Sequence, residues 1–362
     1  MSSDGTYTSE FLLLNGFYRY LGYTYVSRDL AKGSLQLVWR REGPYAAYVA
    51  LTWVVIIGVF AYDASEAADM FDKSALLDKI TSVLYSARTI IIQITSIVLA
   101  FTQAPKMVDV STNLANLEDR LLFPYSLRGV ARKLIVMNIA FTIVSIVAVF
   151  PLLYLYEDFT VRQLIWNSCY FVVCGIHGQT SCLLAYTWAM FFAETLASYL
   201  SAINAELKYI LDSRGYAQTK RSFSEMHALF VRVMEAFELC EQILGKFLAL
   251  IFPLNLVVTA PWGYWILREM REPQIGLLGA LGFAGLFTQM LLVAIYPMRP
   301  YREAKKTWDV LTKLLVSQDH TPEIREQIAS AIITYTVILY QSDNSSSSSA
   351  AAAAVTLNAT KA

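Results

Sequence analysis

The sequence predicts an all-α integral membrane protein with seven transmembrane helices, the N-terminus inside and the C-terminus outside. Three observations predict it. Hydrophobic residues make up 56% of the 362 and charged residues only 16%, a balance foreign to soluble domains. Apolar runs long enough to cross a bilayer recur along the chain, and Lys and Arg gather in alternate connections between them, as they do on the cytoplasmic side of membranes.

The same composition excludes other classes. The formal net charge is zero, so nothing favours nucleic acid as a partner, and basic residues inform only through their placement. His177, His227 and His320 are too scattered for a metal site, and no nucleophile-base pair is recognisable, so neither an enzyme nor a cofactor is expected. Cys169, Cys174 and Cys182 share one predicted membrane segment and Cys240 lies on a later helix, which predicts four free thiols. Met1–Tyr25 lacks a basic start and a signal-type apolar run, so the first membrane helix is expected to start insertion.

Residues 1–44 form an N-terminal segment carrying Arg19, Arg28, Lys32, Arg40 and Arg41, predicted to be cytoplasmic. The first span is Tyr45–Tyr62, followed by an acidic loop with Asp63, Glu66, Asp69, Asp72 and Asp78, and then by a second span, Ile80–Thr102. Gln103–Lys133 contains Lys106, Arg120, Arg128, Arg132 and Lys133 and reads as a cytoplasmic connection. The third span is Leu134–Tyr156. The fourth starts near Gln163 and continues as a helical pattern to about Leu211, with Trp188, Phe192, Thr195, Tyr199 and Ile203 on one line and Glu194, Ser198 and Glu206 off it.

From Phe223 the apolar positions Met226, Phe230, Val233, Phe237, Cys240, Leu244 and Phe247 alternate steps of three and four. That is a heptad-like seam leading into the fifth span, Phe247–Leu267, and it fits either packing within the chain or a coiled coil with a partner. The sixth span, Ile275–Pro297, carries Gly276, Gly279, Gly282 and Gly285, a spacing that permits close helix contact. Arg299, Arg302, Lys305, Lys306 and Lys313 then surround an amphipathic helix with Trp308, Leu311 and Leu315, and His320-Thr321-Pro322 breaks it.

Glu323 begins a last helix. From Ile328 to Tyr340 it reaches roughly 20 Å, against about 30 Å of hydrocarbon, so it needs protein around it. On a helical period Gln327, Ser330, Thr334, Val337 and Gln341 share one face, while Ile328, Ile332, Tyr335 and Leu339 lie elsewhere. Small and polar residues on one side fit either the lining of a pore or close helix packing. The tail, residues 342–362, holds a serine run and an alanine run and is predicted to be disordered and extracellular.

Thr334-Tyr335, an apolar run and Gln341 at the end of a multi-spanning chain resemble the C-terminal signature of insect gustatory receptors. Ser342 replaces the signature's final Phe, and Pro322–Ala329 is polar where relatives carry aromatic residues. The resemblance extends over the chain to the gustatory and odorant receptor superfamily. It implies a seventh helix split near His320–Glu323, fourth to sixth helices extended into a cytoplasmic bundle at about 186–246 and 298–322, and one channel and receptor domain over 45–341.

It further implies a multi-pass plasma-membrane protein working as a ligand-gated, non-selective cation channel, a homotetramer or a heteromer with related receptors. The ligand would be a small extracellular tastant, a sugar or a bitter compound, and the conducted ions monovalent cations, with divalent ones a further candidate. Gln341 would stand near the outer constriction, with Val337 and Ile338 as an apolar barrier and Thr334, Ser330 and Gln327 along the pore face.

The ligand pocket that the resemblance implies lies among the second to sixth helices. Candidates there are Tyr85 and Arg88 on the second, Tyr154 on the third, Trp166, Asn167 and Tyr170 on the fourth, and Asn255, Thr259, Trp262 and Trp265 on the fifth. Aromatic residues also gather at membrane interfaces, which gives each of them a second reading. Arg88 is singled out because a charge within a membrane helix is functional by default, with an ion pair to outer-loop carboxylates as its rival role. A G-protein-coupled receptor is an alternative. Its acidic-Arg trigger is mimicked by Glu118-Asp119-Arg120, yet this follows the second span, and the charge asymmetry opposes that class. A secondary transporter would need internal repeats that the sequence lacks, and a non-channel membrane scaffold is the remaining alternative.

Overall fold

A computed structural model describes residues 6–20, 26–28, 35–37, 47–48, 50–51, 53–55, 58, 76–121, 125–155, 177–212, 223–269, 273–296, 298–316, 325–326 and 328–333. The elements are α1 (Thr6–Tyr20), β1 (Val26–Arg28), β2 (Leu35–Leu37), α2 (Leu76–Glu118), α3 (Val130–Leu155), α4 (His177–Asp212), α5 (Phe223–Glu269), α6 (Pro273–Ile295) and α7 (Met298–Val316). The chain divides into two compact units. The first holds Met1–Asn116, Leu127–Thr195 and Glu238–Met298, and the second Leu117–Ser126, Leu196–Phe237 and Arg299–Ala362.

Three differences from the sequence-based expectation stand out. Helices dominate, but β1 and β2 pair antiparallel in the N-terminal segment, Val26 opposite Leu37. β2, Leu35-Gln36-Leu37, alternates apolar and polar residues, which is strand periodicity. Second, α2 runs on to Glu118 through the stretch expected to be a connection, with Pro105 inside it. Its far half keeps a helical stripe of buried Val110, Ser111, Leu114 and Leu117, a period interrupted in the sequence by the charges of Lys106, Asp109 and Glu118. Third, α4 is not amphipathic over its middle: every residue from Leu183 to Ala193 is buried, which makes it a central helix of the first unit. Glu206, off the expected apolar line, is buried as well.

Helix α1, a stretch read only as part of a cytoplasmic segment, docks in the first unit. Tyr7, Glu10, Phe11, Leu14 and Tyr18 recur at helical spacing and are all buried. Their rings meet α4: Phe11 lies 5.4 Å from Trp188, Tyr7 5.8 Å from Phe191, and Tyr18 6.2 Å from Trp188. Glu10 has a second role. Its two carboxylate oxygens accept the backbone N–H groups of Gly129 and Ala131, each at 2.8 Å, so a side chain from α1 caps the start of α3, where unpaired N–H groups and the positive helix end favour an anion. Gly129 takes φ +81°, open to glycine and costly to other residues. Burial raises the Tyr18 phenol above its usual range, against a smaller lowering by bonds to Thr187 and Asn138, so it remains a neutral hydroxyl.

Within the first unit α3 packs against α6 and α1 against α3. Gly285 of α6 faces Val144 of α3, where an added Cβ would lie 3.6 Å from Cγ1, and Gly263 of α5 faces Phe283 of α6 more tightly, at 3.3 Å. The outward positions are apolar: Ile91, Ile94 and Val98 on α2, Val136, Ile139 and Ile143 on α3, and Leu277, Leu281, Phe287 and Leu291 on α6. Faces of this kind suit lipid better than water. Among the described residues, Glu225–Thr259 is long and apolar enough to cross a membrane and Gly279–Leu292 is a shorter apolar helix. The expected first span is described only in part, and the start of the fourth and the last helix beyond Ile333 lie outside the described residues.

In the second unit, α4 and α7 are held by polar bonds. Asn204 donates from Nδ2 to the Glu303 carbonyl at 2.9 Å, and its Oδ1 accepts the Thr307 hydroxyl at 2.6 Å. Pro300, Ala304, Thr307, Leu311 and Leu314 form the buried stripe of α7. The Tyr125 hydroxyl donates to Glu118, and its ring meets Tyr199 edge-on at 5.5 Å. Along α5 the heptad-like seam is buried within a single chain: Met226, Phe230 and Val233 in the second unit, Cys240, Leu244 and Phe247 in the first. These six positions pack inside the chain, and Phe237 between the two groups is half-buried. Cys240 is a free thiol, and Cys169 and Cys174 lie outside the described residues.

Candidate functional site

Arg88 lies on the inward stripe of α2, with Ile92 and Ser96 one and two turns on, all three buried. The neighbouring Ile91 and Ile94 point outward, so the arginine is carried into protein and not toward the apolar surface. A buried guanidinium needs acceptors. Arg88 Nε donates to Asn255 Oδ1 on α5 at 2.6 Å, across 167 residues of sequence. Asn255 Nδ2 in turn donates to the Tyr186 hydroxyl of α4 at 2.5 Å. One asparagine thereby joins three helices, acceptor to one and donor to another.

The α5 backbone around Asn255 is weakened on both sides. Pro253 has no N–H for the Ala249 carbonyl. Thr259 returns its hydroxyl to the Asn255 carbonyl at 2.5 Å, a bond that competes with the helix ladder and favours bending. Thr259 Oγ1 also lies 4.0 Å from the Met290 sulfur of α6. Next to Met290, Gln289 is 3% exposed and its Oε1 has no hydrogen-bond partner among the described residues. Arg88, Tyr186, Asn255, Thr259 and Met290 thus form one polar cluster in the interior of the first unit. It combines a guanidinium, an amide and two hydroxyls, groups whose chemistry is suited to hydrogen-bonding oxygen atoms.

Three of the sequence-derived candidates, Arg88, Asn255 and Thr259, are brought together. Tyr85, Tyr154, Trp262 and Trp265 lie on α2, α3 and α5, with side chains outside the described residues, and Trp166, Asn167 and Tyr170 are outside them entirely. Of the pore-face candidates Ser330 is exposed on the helical residues 328–333, where Ile328 and Ala331 are buried. Gln327, Thr334, Tyr335, Val337, Ile338 and Gln341 lie outside the described residues. Tyr186 and Gln289 were missed. Tyr186 sits in an apolar run two residues before the Trp188 line, and a polar residue inside the glycine-rich sixth span was the available signal for Gln289.

Among the described residues no group of His, Cys, Asp or Glu is arranged to hold a metal ion. Residues 11–323 match the family profile described as 7tm chemosensory receptor. A search of curated proteins finds no match.

Proposed function

The chain belongs to the 7tm chemosensory receptor family of insect gustatory and odorant receptors, and we propose that it is a taste receptor of the plasma membrane that works as a ligand-gated, non-selective cation channel. Membership makes it a membrane chemoreceptor, in a family of receptors and not of enzymes. The observation that carries the ligand reading is the Arg88–Asn255–Tyr186 chain of hydrogen bonds in the interior of the first unit. A ligand rich in oxygen acceptors, such as a sugar or an oxygenated bitter compound, would compete for the Arg88 and Asn255 donors. That competition would change how α2, α4 and α5 are tied and shift the population between two pore states.

In this reading the last helix lines the pore through Gln327, Ser330, Thr334, Val337, Ile338 and Gln341, and the helical stretches at about 186–246 and 298–322 form the cytoplasmic anchor of a homotetramer or of a heteromer with relatives. Whole-cell recording from cells expressing the full chain tests it, with a panel of sugars and bitter compounds, in wild type, Gln341→Ala and Ile338→Ala. A ligand-evoked cation current with altered permeability or resting leak in the two variants is expected. Surface protein with no current for any compound, alone or with co-expressed relatives, would overturn the channel reading.

A further inference from the structure

The joint between α1, α3 and α4 carries more polar chemistry than its direct bonds use. Asn138 of α3 donates from Nδ2 to the Tyr18 hydroxyl at 2.7 Å and lies 3.5 Å from Thr187 Oγ1. The Thr187 hydroxyl itself is given to the Leu183 carbonyl at 2.8 Å. The nitrogen end of the Asn138 amide is thus occupied. Its Oδ1 is buried without a hydrogen-bond partner among the described residues.

Thr142, one turn further along the same face of α3, has the same condition at Oγ1. The other threonines make this unusual. Thr95, Thr187, Thr195 and Thr259 each return the hydroxyl to the carbonyl four residues back, a bond open to any helical threonine. Thr142 forgoes it. Asn138 is 1% and Thr142 8% exposed, and a polar atom withdrawn from water without a partner costs more than an ordinary hydrogen bond gains.

We propose that Asn138 and Thr142 hold an internal water molecule between them. Side chains one turn apart are separated by roughly 5.4 Å along the helix, a span bridged by two hydrogen bonds of about 2.8 Å through one oxygen. The water donates one proton to Asn138 Oδ1 and exchanges a second bond with the Thr142 hydroxyl, each group then being satisfied. Exchanging the two ends of the Asn138 amide leaves the site intact, since the NH₂ group would donate to the same water. The bridge fixes the amide plane, and through it the bond by which Tyr18 ties α1 to α3.

Radiolytic hydroxyl-radical labelling of the full chain in lipid nanodiscs, run in heavy-oxygen water, tests this. Bound water generates radicals in place and marks the rings beside it. Tyr18 and Tyr199 are both 0% exposed, yet Tyr18 should be oxidised severalfold faster, and its rate should fall to that of Tyr199 in Asn138→Leu/Thr142→Val. Equal rates for Tyr18 and Tyr199 in the wild-type protein would overturn the proposal, as would Tyr18 labelling unchanged in the double variant. Should that variant not fold, the wild-type comparison still decides, and Thr142→Val, which keeps the side-chain shape, should lower Tyr18 labelling on its own.

Discussion

Asn255 is the residue on which the polar cluster turns, because it bonds both Arg88 and Tyr186. Asn255→Leu leaves a buried guanidinium short of an acceptor and should cost about 2 kcal/mol, read as a lower thermal midpoint in detergent. Asn255→Asp separates folding from recognition. Its carboxylate would pair with Arg88 and accept from Tyr186, so the thermal midpoint should hold at or above that of wild type. The charge offered to a ligand would be cancelled. Gln289→Leu removes a buried carbonyl that has no partner among the described residues, so it should not lower stability; a weaker response to agonist in that variant would place Gln289 against the ligand. Arg88 was legible in sequence as a charge inside an apolar run, and Asn255 and Thr259 as polar residues in another. The family resemblance implied one pocket for all three, but the direct bond between Arg88 and Asn255 was not legible, since no local pattern encodes a contact across 167 residues.

Among the elements, α1 is the clearest case of structure that the sequence concealed. Its first residues mix hydroxyls, aromatics and a glutamate, and the partners of Glu10 at Gly129 and Ala131 are more than a hundred residues away. Only Gly129 left a trace, as a glycine just before an apolar helix. Glu10→Ala should destabilise the protein by about 1 kcal/mol through loss of the α3 cap, with Glu10→Gln intermediate because one acceptor remains. Differential scanning fluorimetry in detergent checks the order. Along α5 and α6 the contact of Gly263 with Phe283 sets another test: Gly263→Val adds bulk where a single Cβ already comes within 3.3 Å of the ring, and should destabilise by about 1–3 kcal/mol. The long helices α3 to α6 were legible because apolar length and period act locally, whereas the extension of α2 to Glu118 was hidden by Lys106, Asp109 and Glu118 within it.

At the scale of the molecule, each unit has its own logic. The first buries α4 on all sides and turns apolar residues of α2, α3 and α6 outward, as a membrane-embedded bundle does. The second relies on the Asn204–Thr307 bond and the amphipathic face of α7. Composition and charge placement made the membrane class legible, and the C-terminal signature the family. The ligand was not legible, because aromatic and polar residues of membrane helices serve packing and interfaces as readily as recognition. The most direct test of the account is the agonist concentration-response of whole-cell current for Asn255→Asp against wild type at matched surface expression. It predicts a rightward shift of about tenfold or more, equivalent to about 1.4 kcal/mol of binding, with the reversal potential unchanged. An unshifted curve in a well-folded variant would contradict it, and would remove the Arg88–Asn255–Tyr186 cluster from ligand recognition.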